Sequence, residues 1–166
     1  MDRRDFTIGL AAIAAAPTAT LAQSDRFAQG VSIAPVSITL MDGTSQRTWP
    51  SAGRVGVLLY WASWCPFCRR SMPDFAQLHQ RYAQHGLQIV GVCTDPVGTP
   101  ASVRMARQVP FDSMWMQQLH APQLPSVSRV PTMHIANRQG QLAFTGTGYL
   151  GLERLEALVR PLLGLA

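Results

Sequence analysis

The hydrophobic pattern changes period several times along the chain, and each change marks an element. Residues 54–63, RVGVLLYWAS, form an almost unbroken apolar run, as expected of a central strand buried on both faces. From Pro66 to about His85 the apolar positions Phe75, Leu78 and Tyr82 fall three and four apart, which predicts an amphipathic helix closed by Gly86. Pro73 lies within it and predicts a kink. Residues 87–94, LQIVGVCT, read as a second buried strand, and the strand–helix–strand order predicts parallel pairing with a right-handed crossover. A shorter helix is expected over residues 101–108. TMHIAN and QLAFTGT, on either side of Arg138-Gln139-Gly140, predict an antiparallel hairpin. The last segment, LGLERLEALVRPLLG, places Leu152, Leu155, Leu158 and Val159 on one face of a closing helix. Ahead of the central strand, VSITL and the stretch after Asp42-Gly43 predict an edge strand with a hairpin turn. Residues 109–129 show no regular period. The sum is an α/β fold, a mixed central sheet flanked by helices with an N-terminal strand or hairpin extension.

Composition narrows the picture. A length of 166 residues and 47% hydrophobic content suit one domain with a real core. All fourteen basic residues are arginines, so lysine Schiff-base or general-base chemistry is excluded. They are scattered, with no like-charge run longer than two and no basic face interleaved with aromatics. The net charge of +5 therefore does not indicate nucleic-acid binding.

Residues 1–22 read as an export signal: Arg3-Arg4, an apolar run from about Thr7, and small residues ending at Ala22, after which cleavage is expected. Arg3-Arg4-Asp5-Phe6 resembles the core of a twin-arginine signal, although Asp2 stands where Ser or Thr is usual; a Sec-type route is the alternative. The run is about sixteen residues, Ala-rich and broken by Pro17, shorter than a membrane span requires, so no integral membrane protein is expected. Residues 23–34 read as a linker and 35–166 as the domain. Export places the chain in an oxidising compartment, the bacterial periplasm, where a disulfide persists.

Two of the three cysteines, Cys65 and Cys68, stand where the central strand gives way to a helix. Free backbone N–H groups and the positive end of the helix dipole stabilise a thiolate there, which makes Cys65 the nucleophile. Cys68, three residues on, lies beside it and can resolve a mixed disulfide. Pro66 lacks an N–H and suits the first helical turn, while Trp64 and Phe67 frame the sulfur with apolar surface. A structural zinc site would need four ligands, against one pair, the distant Cys93 and four isolated histidines, and no metal is expected. A structural staple closing so short a loop would restrain the unfolded chain little. A redox couple fits the pair better than either.

The chain resembles the thioredoxin fold, and within it the exported TlpA/ResA/DsbE-type thiol–disulfide oxidoreductases. The resemblance rests on Trp64-Cys65-Pro66-Phe67-Cys68, on Pro73 five residues further on, on VPT at 130–132 and on APVSITLMDG, and it covers residues 34–166. It implies a thioredoxin-like domain, a cis Pro131 against the sulfurs, and Val130 pairing through its backbone with the substrate chain. It further implies a client protein bearing a disulfide or thiols, a membrane electron donor, and no cofactor beyond the cysteine pair. Reduction of clients in cytochrome c maturation or at metal-site cysteines is the implied role. A dithiol oxidase, a copper metallochaperone and a peroxide-consuming thiol enzyme are the alternatives. Two positions depart from the family: Leu59 and Gln88 occupy places where relatives carry a buried carboxylate that moves the proton of the second cysteine. Asp95 is a substitute on paper, but before Pro96 it reads as a turn former.

Other residues carry bland readings. Cys93 ends an apolar strand and reads as a small core residue. Met114, Met116, His120 and His134 have the ligand chemistry for Cu(I) but lack a spacing that would gather them. Arg69 and Arg70 read as a solvated helix face.

Overall fold

The computed structural model describes residues 30–165; the expected export signal and residues 23–29 of the expected linker lie outside the described residues. Strand β1 (Val36–Thr39) pairs antiparallel with β2 (Gln46–Trp49). They form a separate two-stranded sheet, joined to the main sheet by a bridge between Leu40 and Met114. The turn between them is held by Asp42, whose carboxylate accepts the Thr44 and Ser45 N–H groups at 2.9 and 2.8 Å.

The apolar run becomes β3 (Val55–Trp61), with every residue buried. Its alternation sends Val55, Val57, Leu59 and Trp61 to one face and Leu58 and Tyr60 to the other. It is followed by α1 (Pro66–Tyr82), β4 (Leu87–Cys93) and α2 (Pro100–Ala106). Helix α1 continues through Pro73. A 3-10 turn at Ala83–His85 follows, and Gly86, at φ 96°, closes it in the left-handed region that favours glycine. Residues 109–129, irregular in sequence, hold one further strand, β5 (Asp112–Trp115), and a 3-10 turn (Met116–Gln118). Strands β6 (Thr132–Ala136) and β7 (Leu142–Thr147) form the expected hairpin, and α3 (Leu152–Leu163) closes the fold.

The main sheet runs β5-β4-β3-β6-β7, with β3, β4 and β5 mutually parallel and β6 and β7 antiparallel to their neighbours. Met72, Phe75 and Leu78 of α1 and Leu155, Val159 and Leu163 of α3 cover one face. Ile38 and Trp49 of the hairpin cover the other, together with Leu119, Leu124 and Val127. Residues 30–33, from the stretch read as a linker, run beside the start of β7: Ile33 donates its N–H to the Gly140 carbonyl and is itself 2% exposed. Among the described residues no helix is long and apolar enough to cross a membrane.

Candidate active site

The cysteines sit at the carboxyl end of β3, where the sheet hands over to α1. Cys65 is the N-cap of α1, with extended backbone (φ −82°, ψ 117°), and Pro66 occupies the first helical turn. A cap residue offers a side-chain acceptor to the free N–H groups of that turn. Here the acceptor is sulfur: the Cys68 N–H donates to Cys65 Sγ at 3.4 Å. The Cys65 thiol in turn donates to the Val130 carbonyl at 3.6 Å. The Val130–Pro131 bond is cis, as the resemblance implied. The residue pair 130–131 thus reaches the cysteines from the start of β6, and the Pro131 carbonyl accepts the Gly148 N–H at 2.7 Å, which ties it to the chain beyond β7.

All three cysteines are free thiols. Cys65 retains 4% exposure and Cys68 1%, so what little sulfur-bearing surface faces solvent belongs to the first. Burial, followed by the hydrogen bond with Cys65, pushes the Cys68 thiol up to about 12. Trp64, at 68%, and Phe67, at 59%, stand out on the surface on either side of Cys65 in the sequence. Val97, in the loop after β4, is a further exposed apolar residue.

The structure brings together Trp64, Cys65, Pro66, Phe67, Cys68, Val130 and Pro131. It also adds three residues that sequence reasoning missed or set aside. Asp95, at the carboxyl end of β4, is 4% exposed. Its Oδ2 accepts the Ser63 N–H at 2.8 Å and the Ser102 hydroxyl at 2.6 Å. Burial alone would raise its pKa, but the hydrogen bonds from Ser102, Ser63 and Cys93 outweigh it and hold the carboxyl below the usual range. The available signal was positional: a polar residue ending the strand next to the cysteine-bearing one, at the carboxyl edge where α/β sheets place their chemistry.

The other candidates are placed as follows. Leu59 lies in the same core cluster as Cys65 and Cys68. Gln88 pairs with Gly56 at the opposite end of the sheet, where it bonds to Ser51 and Thr48, so its identity cannot bear on the Cys68 proton. Cys93 is fully buried, and burial pushes it up to about 11. Met114 and Met116 pack with the second core cluster, and His134 bonds to Thr145 and meets the Tyr60 ring edge-on. These three therefore face away from the cysteines. Arg70 lies 4.3 Å from the centre of the Tyr149 ring, a packing role. Arg69 Nη2 reaches the Trp64 carbonyl at 3.5 Å.

The chain is similar to proteins named as thiol–disulfide oxidoreductases. The chain is 29% identical over 115 residues to a thiol–disulfide oxidoreductase ResA of Oceanobacillus iheyensis, covering 64% of this chain and 57% of that relative. It is 22% identical over 117 residues to the sporulation thiol–disulfide oxidoreductase A of Bacillus subtilis, covering 64% and 67%. Among solved structures, a Chlorobium tepidum chain described as a thiol:disulfide interchange protein DsbE superposes with a TM-score of 0.70 at 28% identity, covering 82% of this chain and 98% of that one. Residues 33–121, more than half of the sequence, match the AhpC/TSA family, and the chain belongs to that thioredoxin-fold family.

Proposed function

We propose that the chain is an exported thiol–disulfide oxidoreductase that reduces disulfides in client proteins through Cys65 and Cys68. The observation that carries this reading is the sulfur of Cys65 at the N-cap of α1, receiving the Cys68 N–H at 3.4 Å beside the cis Val130–Pro131 bond. A negative charge forming on that sulfur meets a backbone donor and the positive end of a helix.

The reaction proceeds in two exchanges. The Cys65 thiolate attacks one sulfur of a client disulfide; a Cys65–client S–S bond forms, the client bond breaks, and one client thiolate leaves to take up a proton. Cys68 then loses its proton and attacks Cys65 Sγ. The Cys65–Cys68 disulfide forms and the second client thiol is released, so two electrons have passed to the client. A dithiol donor at the membrane restores the reduced pair by the same exchange. Trp64 and Phe67 supply apolar contact for the client, and Val130 and Pro131 the backbone along which it lies. The names of the relatives support the reaction class. The reducing direction, clients with paired cysteines of the heme-attachment or metal-site type, and a periplasmic location rest on the TlpA/ResA/DsbE resemblance and on the signal read at residues 1–22.

The test is capture. A Cys68→Ala chain, exported with its own leader, is expected to accumulate client proteins disulfide-bonded to Cys65, while Cys65→Ser/Cys68→Ala captures none. An absence of any trapped protein contradicts the exchange mechanism. For direction, the couple is expected near the roughly −270 mV of thioredoxin rather than the roughly −120 mV of a strong oxidant.

A further inference from the structure

Asp95 is buried and ionised, and among the described residues no salt bridge involves it. The ion pairs Arg47–Asp112 and Arg81–Glu156 lie elsewhere and do not involve it. A carboxylate taken out of water is normally paired or neutralised, because its desolvation costs several kcal/mol. Here the charge is held only by neutral donors from three elements: the Ser63 N–H in the turn before Cys65, the Ser102 hydroxyl on α2, and the Cys93 thiol at the end of β4. Its own backbone carbonyl accepts from Gln117 Nε2 at 3.2 Å, which fixes the loop from the far side. The titratable groups around it are the Cys93 thiol on β4, which hydrogen-bonds to it, and the Cys68 thiol on α1, where its charge adds to the larger effects of burial and of Cys65 in holding the proton on. Arg69 and Arg104 line the groove that Ser63 also borders, and neither pairs with it. A buried carboxylate held ionised by neutral donors beside a cysteine pair is a candidate functional group.

We propose that Asp95 is a positioning residue of the redox couple: its buried, unpaired charge anchors the turn that leads into Cys65 and opposes a second negative charge at Cys68. The inference rests on the dithiol exchange proposed above. The anchoring is direct, since Ser63 is two residues from Cys65 and the Cys65 N–H itself bonds back to Ala62 at 3.3 Å. The electrostatic part sets the timing of the second exchange. A carboxylate near a thiol disfavours the thiolate, so the Cys68 proton stays on longer and the Cys65–client disulfide persists until Cys68 attacks and releases the client. Asp95 does not itself take that proton, because its carboxyl is the stronger acid and stays ionised.

The two parts separate by substitution. Asp95→Asn keeps an oxygen acceptor for Ser63 and Ser102 and removes only the charge; Asp95→Ala removes both. Reduced full-length chain is treated with 5,5′-dithiobis(2-nitrobenzoate), which loads Cys65 with thionitrobenzoate and releases a first equivalent. Release of the second equivalent then reports attack by Cys68. If removing the charge gives tenfold more Cys68 thiolate, the lower intrinsic nucleophilicity of that thiolate leaves a net acceleration of roughly threefold. Asp95→Asn is expected to show that acceleration at every pH from 6 to 9. A structural defect alone would not move a rate upward across the whole pH profile. A second measurement needs no variant: in the unmutated chain the rate should rise tenfold per pH unit at neutral pH, and at acid pH, where Asp95 takes its proton and its charge is lost, it should bend onto a parallel line roughly threefold above the extrapolated one. Equal rates in Asp95→Asn, or a straight acid limb in the unmutated chain, would overturn the inference while leaving the exchange itself intact. Failure of the unmutated chain to release a second equivalent would instead overturn the proposed function.

Discussion

At the scale of single residues the site divides its labour between what is exposed and what is hidden. Trp64 and Phe67 stay in water at a cost in apolar surface that the fold had no need to bear, and they flank a sulfur that is almost buried. If they are contact residues for a client chain, Trp64→Ala should raise KM for a protein disulfide about tenfold, the scale of an aromatic contact residue. It should leave turnover of a small disulfide such as oxidised glutathione within a factor of two and the thermal midpoint unchanged. Equal losses on both substrates would place Trp64 in the chemistry instead. The cysteine pair and Pro66 were legible from residue types and spacing because local geometry fixes them, and the cis-proline was legible only through the family resemblance. Asp95 was not, because nothing local distinguishes a carboxylate that ends a buried strand from one that starts a turn. Its partners Ser63 and Ser102 lie 32 and 7 residues away.

At the scale of elements, the long periodic segments read correctly because burial dictates their period. Strand β3, helix α1, strand β4 and the β6–β7 hairpin all follow the hydrophobic pattern. Strand β5 escaped it. Its four residues, DSMW, are too short for a period, and they are strand because Val90, Gly91, Val92 and Cys93 offer them a parallel ladder. The same pairing explains a glycine. A Cβ on Gly91 would come within 2.8 Å of Ser113 Oγ and 2.8 Å of Trp61 Nε1, and Trp61 is fully buried. Gly91→Ala should therefore destabilise by roughly 1–3 kcal/mol, as overpacking of a tight core does. Urea unfolding checks it. A cost below about 0.5 kcal/mol would mean that β5 can move away from β4 more freely than the contacts imply.

At the scale of the molecule the sheet has two differently used faces. The cysteines and the α1–α3 layer share one core cluster, to which Phe111 and Trp115 also belong; the N-terminal hairpin and Met114, Met116, Leu119, Leu124 and Val127 seal the other. Residues 30–33 extend that seal along the start of β7, a long-range contact that a stretch with no clear period does not announce. In the second layer His134 is fully buried, and burial lowers its pKa from 6.5 to about 4. The unfolded chain then binds a proton that the folded chain refuses. Stability from this group is complete above about pH 6.5 and is lost as pH falls towards 4, by at most about 3 kcal/mol. Urea midpoints across that window should fall with acidification, and the slope should flatten in His134→Leu. An unchanged slope would show that other groups carry the acid sensitivity.

In the proposed exchange Cys65 and Cys68 act as one two-electron couple while Cys93 stays a core residue. Equilibrating the unmutated chain across glutathione buffers, quenching with acid and mapping the thiols by mass spectrometry measures this directly. The predicted result is a single two-electron transition in which the chain loses two hydrogens, Cys65 and Cys68 become linked, and Cys93 remains a free thiol throughout. Independent oxidation of Cys65 and Cys68 to separate glutathione adducts, or a disulfide that includes Cys93, would contradict it.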